Sequence, residues 1–112
     1  MNAEFKDFVL KVFKTIGYPF LFDIEEAFYS GFPEDILHGF LAEKLETILF
    51  EHQQRLLKAE TTQDISDSCR IALNQLDELV KFIRSTCSKK MADMTELIST
   101  LIKNAYIVPF KA

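Results

Sequence analysis

The sequence has few of the residues that interrupt regular structure. It contains 3 Gly, 3 Pro and no Trp in 112 residues, where average usage would give roughly 8 Gly and 6 Pro. So few breakers leave room for few tight turns, which argues against a many-stranded sheet and favours helices. The length suits one domain rather than two, so we treat residues 1–112 as a single domain.

Long apolar runs are also missing. No stretch approaches the roughly 18 apolar residues that a membrane-spanning helix requires. The N-terminal residues, MNAEFKDFVLKVF, mix charged with apolar side chains, whereas a signal peptide has an uninterrupted apolar stretch behind a basic start. We therefore expect an intracellular, cytoplasmic protein without a membrane span.

Residues that could hold a metal or form a disulfide are few. If one helix carries both Cys69 and Cys87, they lie about 27 Å apart. A disulfide would then require the helix to break, so buried free thiols are the simpler expectation. His38 and His52 lie about 21 Å apart along a helix, too far to share a metal. We expect no metal and no cofactor.

Catalytic motifs are missing as well. The glycines at 17, 31 and 39 are too scattered for a phosphate-binding loop. No serine has the surroundings of a nucleophile elbow, and no Glu-x-x-His pair suggests a metal site in a bundle. We expect no catalytic residue; an enzyme or cofactor carrier with a buried pocket is the alternative.

The sequence does have a clear helical periodicity. Apolar residues recur every three or four positions in four segments. The predicted main helices span Ala3–Ile16, Pro33–Ala59, residues 61–87 and Met91–Ala105, and a short helix spans Ile24–Tyr29. The pattern predicts an all-α fold, a compact bundle of four main helices plus one short helix.

Each main helix has an apolar face that we expect to point inward. The expected inward residues are Phe5, Phe8, Val9, Val12, Phe13 and Ile16 in the first helix; Ile36, Leu37, Phe40, Leu41, Leu45, Ile48, Leu49 and Leu56 in the second; Ile65, Cys69, Ala72, Leu76, Leu79, Val80, Ile83 and Cys87 in the third; and Met94, Leu97, Ile98, Leu101 and Ile102 in the fourth. Thr61 or Thr62 is the expected N-cap of the third helix. The apolar tail, 106–110, either packs back on the bundle or offers a short β-edge to a partner.

Charge is unevenly distributed along the chain. The net charge of −4 argues against nucleic-acid binding. Residues 23–46 contain seven acids and one base, whereas residues 81–90 contain four bases and no acid. Acids at helix N-termini and bases at a C-terminus would match the helix dipoles. The other interpretation is a pair of electrostatic docking surfaces.

Phenylalanine is concentrated in the first half of the chain. Nine of the eleven Phe residues lie among the first 50 residues, more than a small core easily hides. We therefore expect an exposed aromatic patch beside the acids, and such a patch marks an interface. The predicted partner-binding residues are Phe20, Phe22, Glu25, Glu26, Glu34 and Asp35. The second candidate surface is Lys81, Arg84, Lys89 and Lys90.

A family resemblance covers Phe8 to Leu49. In this stretch GYPF (17–20) follows the first amphipathic helix, and FLAEKL (40–45) lies in a later helix. The pattern resembles the divergent calponin-homology-like domains at the N-termini of outer-kinetochore, intraflagellar-transport, augmin and Commander-complex coiled-coil proteins. The resemblance implies a protein–protein interaction domain, which in some members binds microtubules. The sequence lacks the Trp often found in the third helix of these domains. Its corresponding surface is acidic, which favours a protein partner other than tubulin.

The sequence therefore predicts a non-catalytic protein–protein interaction module, an adaptor or complex subunit. The expected partner is another protein with a basic patch, because the predicted surface is acidic. A small four-helix-bundle chaperone or an oligomerising subunit is the alternative, and a homo-oligomer remains compatible with the sequence.

Overall fold

A computed structural model of the chain describes residues 3–13, 35–87 and 89–111. These residues form four α-helices: α1 at 3–13, α2 at Asp35–Lys58, α3 at Thr62–Thr86 and α4 at Lys89–Ile102. A π-helical turn, Lys103–Ile107, and a 3₁₀ turn, Val108–Phe110, follow α4. The fold is an all-α bundle, as predicted, and the described residues contain no strand. The predicted short helix at 24–29 and the predicted end of the first helix, residues 14–16, lie outside the described residues.

From Phe40 onwards, helix α2 buries most of the apolar face that the sequence predicts, whereas the side chains of Ile36 and Leu37 lie outside the described residues. Its buried apolar residues are Leu41, Ala42, Leu45, Ile48, Leu49 and Leu56. Phe40 is an exception, because 38% of its side chain remains exposed. The acids Glu43, Glu46 and Glu51 lie on the exposed side, as expected for an amphipathic helix.

A capping box starts α3 and sets the turn after α2. The Thr61 hydroxyl accepts a hydrogen bond from the Asp64 N–H (3.1 Å), and the Asp64 carboxylate accepts from the N–H groups of Glu60 (2.9 Å) and Thr61 (3.1 Å). These backbone donors lower the pKa of the Asp64 carboxyl. The predicted cap is confirmed as Thr61. Because only three residues join the helices, α2 and α3 pack as an antiparallel pair.

Helix α3 carries the apolar seam that the sequence predicts. Ile65, Cys69, Ala72, Leu76, Leu79 and Ile83 are buried. Val80 and Cys87 are only half-buried. Both cysteines are free thiols; Cys69 is buried, as predicted, whereas Cys87, the C-cap residue after α3, is not.

The inward face of α4 differs from the predicted one. The buried residues of α4 are Met91, Ala92, Thr95, Ile98, Ser99 and Ile102. Leu97 and Leu101, predicted to be inward, are 57% and 46% exposed. Thr95 can be buried because its hydroxyl donates to the Met91 carbonyl (2.8 Å). The prediction is confirmed for Ile98 and Ile102. It was wrong for Leu97 and Leu101 because it counted apolar side chains alone, whereas this face also uses the small side chain of Ala92 and the Thr95 hydroxyl, which is bonded to its own helix.

The C-terminal tail packs back on the bundle. Tyr106, Ile107 and Phe110 are buried, and the tail contacts α3. The α-helical hydrogen bonding ends at Ile102, earlier than predicted, and continues as the π-helical turn. The predicted alternative, a β-edge for a partner, does not form.

Helix α1 packs on this tail through aromatic rings. The centroid of Phe110 lies 6.2 Å from Phe5, 5.3 Å from Phe8 and 6.2 Å from Phe13. Val9 is fully buried beside them, whereas Phe8, predicted inward, remains 43% exposed. The two ends of the described chain therefore share one aromatic cluster. No described helix is both long enough and apolar enough to cross a membrane.

This arrangement predicts a large cost for removing the Phe110 ring. Phe110→Ala should lower the free energy of unfolding by about 3–5 kcal/mol, because it empties a buried site that α1 packs against. Val108→Ala is the matched control in the same turn, since Val108 is 52% exposed, and it should cost less than about 1 kcal/mol. Urea denaturation measures both. Equal costs would contradict the packing of α1 on the tail.

Candidate functional site

A buried histidine links three parts of the fold. His52 of α2 and Ser68 of α3 are 0% and 1% exposed. The His52 Nδ1 atom lies 2.8 Å from the Ser68 Oγ atom. The His52 Nε2 atom lies 3.1 Å from the carbonyl oxygen of Tyr106 in the π-helical turn. One imidazole ring therefore connects α2, α3 and the C-terminal tail.

The hydrogen-bond partners of the imidazole determine which of its nitrogens carries the hydrogen. A carbonyl oxygen only accepts hydrogen bonds, so His52 Nε2 carries the hydrogen and donates it to Tyr106. Nδ1 is then an acceptor, and the Ser68 hydroxyl donates to it. The Ser68 oxygen in turn accepts from the Arg55 Nε–H (3.0 Å), and the Arg55 Nη2 group reaches the Ser68 carbonyl (3.4 Å). In this series of hydrogen bonds, from Arg55 through Ser68 and His52 to Tyr106, each donor meets an acceptor.

Burial keeps this histidine neutral. It lowers the pKa of His52 from 6.5 to about 4, since the charged ring would lose its hydration. The nearby Arg55 guanidinium lowers the pKa further, while the bond to the Tyr106 carbonyl opposes the shift. Burial likewise raises the pKa of the Tyr106 phenol to about 12. With both ring nitrogens bonded inside the protein, His52 holds elements together rather than facing a substrate. From the sequence, His52 was considered only as a possible metal ligand and rejected, and this structural role was missed.

The predicted acidic surface falls largely outside the described residues. Phe20, Phe22, Glu25, Glu26 and Glu34 all lie there. Asp35 belongs to α2, but its side chain is not among those described. This surface therefore stays a prediction.

The second predicted surface lies where α3 meets α4. Lys81, Arg84, Lys89 and Lys90 are all exposed there. The Arg84 guanidinium lies 3.4 Å from the Asp93 carboxylate and 2.6 Å from the Glu96 carboxylate. Lys89 also pairs with Asp93, at 3.1 Å. The basic cluster is thus partly neutralised by acids of α4, which the sequence interval 81–90 did not include.

A groove between α1 and α2 combines exposed apolar side chains with acids. Phe50 of α2 is 62% exposed and Leu10 of α1 is 47% exposed, and the half-buried Phe13 lies between the groove and the core. The acids lining this groove are Glu43, Glu46 and Glu51. No basic side chain of the described residues lines it. Phe50 was not predicted in any site, although its absence from the predicted apolar stripe of α2 could have indicated that it is exposed.

A second exposed aromatic pair spans α2 and α3. The rings of Phe40 and Phe82 lie 6.3 Å apart, and Phe82 is 50% exposed. The Lys44 ammonium lies 5.5 Å from the Phe40 ring centroid, in a cation–π contact. The charges around this pair are mixed, since Lys44, Glu51 and Glu78 all line the cleft beside it.

Comparison with known proteins adds no identification. No protein-family model, curated protein or solved structure matches this chain. Among the described residues, no group of three or more His, Cys, Asp or Glu side chains could hold a metal ion.

The buried histidine predicts a loss of stability in mild acid. In the unfolded chain His52 titrates near its ordinary pKa of 6.5, whereas in the fold its pKa is lowered to about 4. Between these values the unfolded state binds more protons, so the free energy of unfolding falls as pH falls. From pH 7 to pH 5 the contribution is about 2 kcal/mol. Urea denaturation at the two pH values measures it.

The control for this measurement is His52→Gln, which cannot titrate but keeps an N–H donor for the Tyr106 carbonyl. Carboxylates and His38 are common to both proteins, so their titration cancels in the difference. We expect the variant to be less stable at pH 7 and less sensitive to pH. An equal pH dependence in the two proteins would contradict the assignment.

Proposed function

We propose that this chain is a non-catalytic protein–protein interaction module, acting as an adaptor or complex subunit. The observation that carries this proposal is the α1–α2 groove, where Phe50 and Leu10 leave large apolar side chains in water. Exposed apolar surface with a polar rim is typical of protein-binding sites. The proposed function therefore rests on an accessible apolar surface rather than on a chemically reactive side chain.

The chemistry of the interior supports the non-catalytic part of the proposal. His52 is buried, and both of its ring nitrogens are bonded inside the fold. Cys69 is also buried, and its thiol has a raised pKa because burial disfavours the thiolate. Both residues fit a role in packing better than a role in acid–base or nucleophilic chemistry.

The calponin-homology-like resemblance enters the proposal only as a prediction. It covers residues 8–49, and residues 14–34 of that stretch lie outside the described residues. The all-α fold and the exposed apolar groups fit such an interaction domain, but they fit other helical bundles equally. A cytoplasmic location and a partner with a basic patch are likewise predictions from the sequence.

An oligomerising subunit is the second candidate. The outer side of α4 carries Met94, Leu97 and Leu101 at the 3–4 spacing of a helix–helix seam. Leu97 and Leu101 are 57% and 46% exposed, and a second copy packed on this side would bury them. Sedimentation of the purified chain, compared with a Leu97→Ser, Leu101→Ser variant, decides whether this seam joins two copies.

If the chain is an interaction module that uses this groove, its capture of partner proteins should depend on Phe50. Quantitative affinity capture from the source cells should recover a small set of proteins with the original chain and lose them with Phe50→Ser. Because Phe50 is 62% exposed, the variant should keep its thermal midpoint within a few degrees, as surface substitutions usually do. An empty captured set would contradict the proposal, and a set that is equal for both proteins would contradict the groove as the binding site.

A further inference from the structure

We propose that the α1–α2 groove binds an amphipathic helix of a partner protein whose polar face is basic. The inference rests on the proposed function and specifies the chemistry of the partner. It is carried by one juxtaposition: apolar side chains from two helices meet in a groove that is rimmed by acids of α2.

The shape of the groove suits a helix. Leu10 and Phe13 of α1 and Phe50 of α2 line it from two sides. The stretch of α2 that contributes to it, from Glu43 to Gln53, is about 15 Å long at the rise of an α-helix. An amphipathic helix of about three turns would cover this length, with apolar residues at every third or fourth position reaching Phe50 and Leu10.

The charge of the groove selects a basic occupant. Glu43 and Glu46 lie one turn apart on the exposed side of α2, and Glu51 lies further along the same helix. Only Glu51 has a hydrogen-bond partner from α3, the Gln75 amide at 3.4 Å. Like charges across an interface suppress binding, whereas opposite charges speed association and fix orientation. An acidic helix would be rejected, and a helix with Lys or Arg beside its apolar stripe would be favoured.

The same argument disfavours the chain's own residues as the occupant. Residues 14–34 contain several large apolar side chains, and their charges are one base and four acids: Lys14, Asp23, Glu25, Glu26 and Glu34. A second copy of the chain carries a net charge of −4, and Arg84 and Lys89 of its basic cluster already pair with Asp93 and Glu96. Both candidates carry net negative charge, whereas a basic helix from another protein complements the negative rim.

Synthetic helical peptides test the inference without knowledge of the natural partner. The probe is a fluorescent peptide of about five turns with Leu along one face and Lys elsewhere. The comparison peptides carry Glu in place of Lys, or the same residues in scrambled order. Fluorescence anisotropy with the full chain should give a dissociation constant at least about tenfold lower for the Lys peptide than for either comparison peptide, and the difference should shrink at high salt.

Matched variants locate the site. Phe50→Ser should weaken the Lys peptide by about tenfold or more, whereas Phe82→Ser, at a similarly exposed ring, should leave it unchanged. Gln at Glu43, Glu46 and Glu51 should weaken binding, and Gln at the exposed acids Glu4, Glu60 and Glu78 should not, although the net charge changes equally. The amide signals that shift on binding should include those of Leu10 and Phe50.

Several results would overturn the inference. The first is an equal dissociation constant for the Lys and Glu peptides. The second is peptide binding that is weakened by Phe82→Ser and not by Phe50→Ser. The third is peptide binding that is lost when Glu25, Glu26, Glu34 and Asp35 are changed to Gln but is unaffected by Gln at the groove acids. Nuclear Overhauser contacts from the Phe50 ring to residues 14–34 in the free chain would also overturn it, as would self-association that buries Phe50. If captured cellular proteins depend on Phe82 and ignore Phe50, the groove assignment fails while an interaction module remains. If capture is indifferent to every variant, the module itself fails.

Discussion

The bonding of one neutral imidazole is the constraint on which the rest of this bundle depends. His52 is buried where α2, α3 and the tail meet, and it joins the Ser68 hydroxyl to the Tyr106 carbonyl. A buried polar ring is costly unless each nitrogen has a partner. The π-helical turn thus presents its carbonyl to the bundle, and the tail is held in one position.

The position of the tail determines where apolar surface is left exposed. Phe110 follows directly from the held turn, and Phe5, Phe8 and Phe13 pack on its ring. Phe13 also lies 6.1 Å from the His52 ring and 5.0 Å from the Tyr106 ring. Helix α1 is thereby placed beside α2 with Leu10 facing the same groove as Phe50. The candidate binding groove is in this sense a consequence of the buried network beneath it.

Sequence periodicity predicted the elements more successfully than it predicted the site. The apolar stripes of α2 and α3 and the Thr61 cap could be predicted because spacing and capping chemistry are local. The inward side of α4 was predicted at Ile98 and Ile102 but not at Thr95, because Thr95 satisfies its hydroxyl on its own helix and a count of apolar residues overlooks it. The interval 81–90 contains no acid that could pair with Arg84, but in the fold Arg84 forms ion pairs with Asp93 and Glu96 of the next helix. The groove needs Leu10 and Phe50, forty positions apart in sequence, and only tertiary packing brings them together.

The tautomer of His52 tests this account most directly. Long-range proton–nitrogen correlation of the imidazole distinguishes a hydrogen on Nε2 from one on Nδ1 and follows the charge of the ring with pH. The account predicts the neutral Nε2–H form at pH 7, with a slowly exchanging hydrogen and no protonation until the pH approaches about 4. An Nδ1–H tautomer, or a ring that titrates near 6.5, would contradict it, because the tail would then lack the bond that holds it.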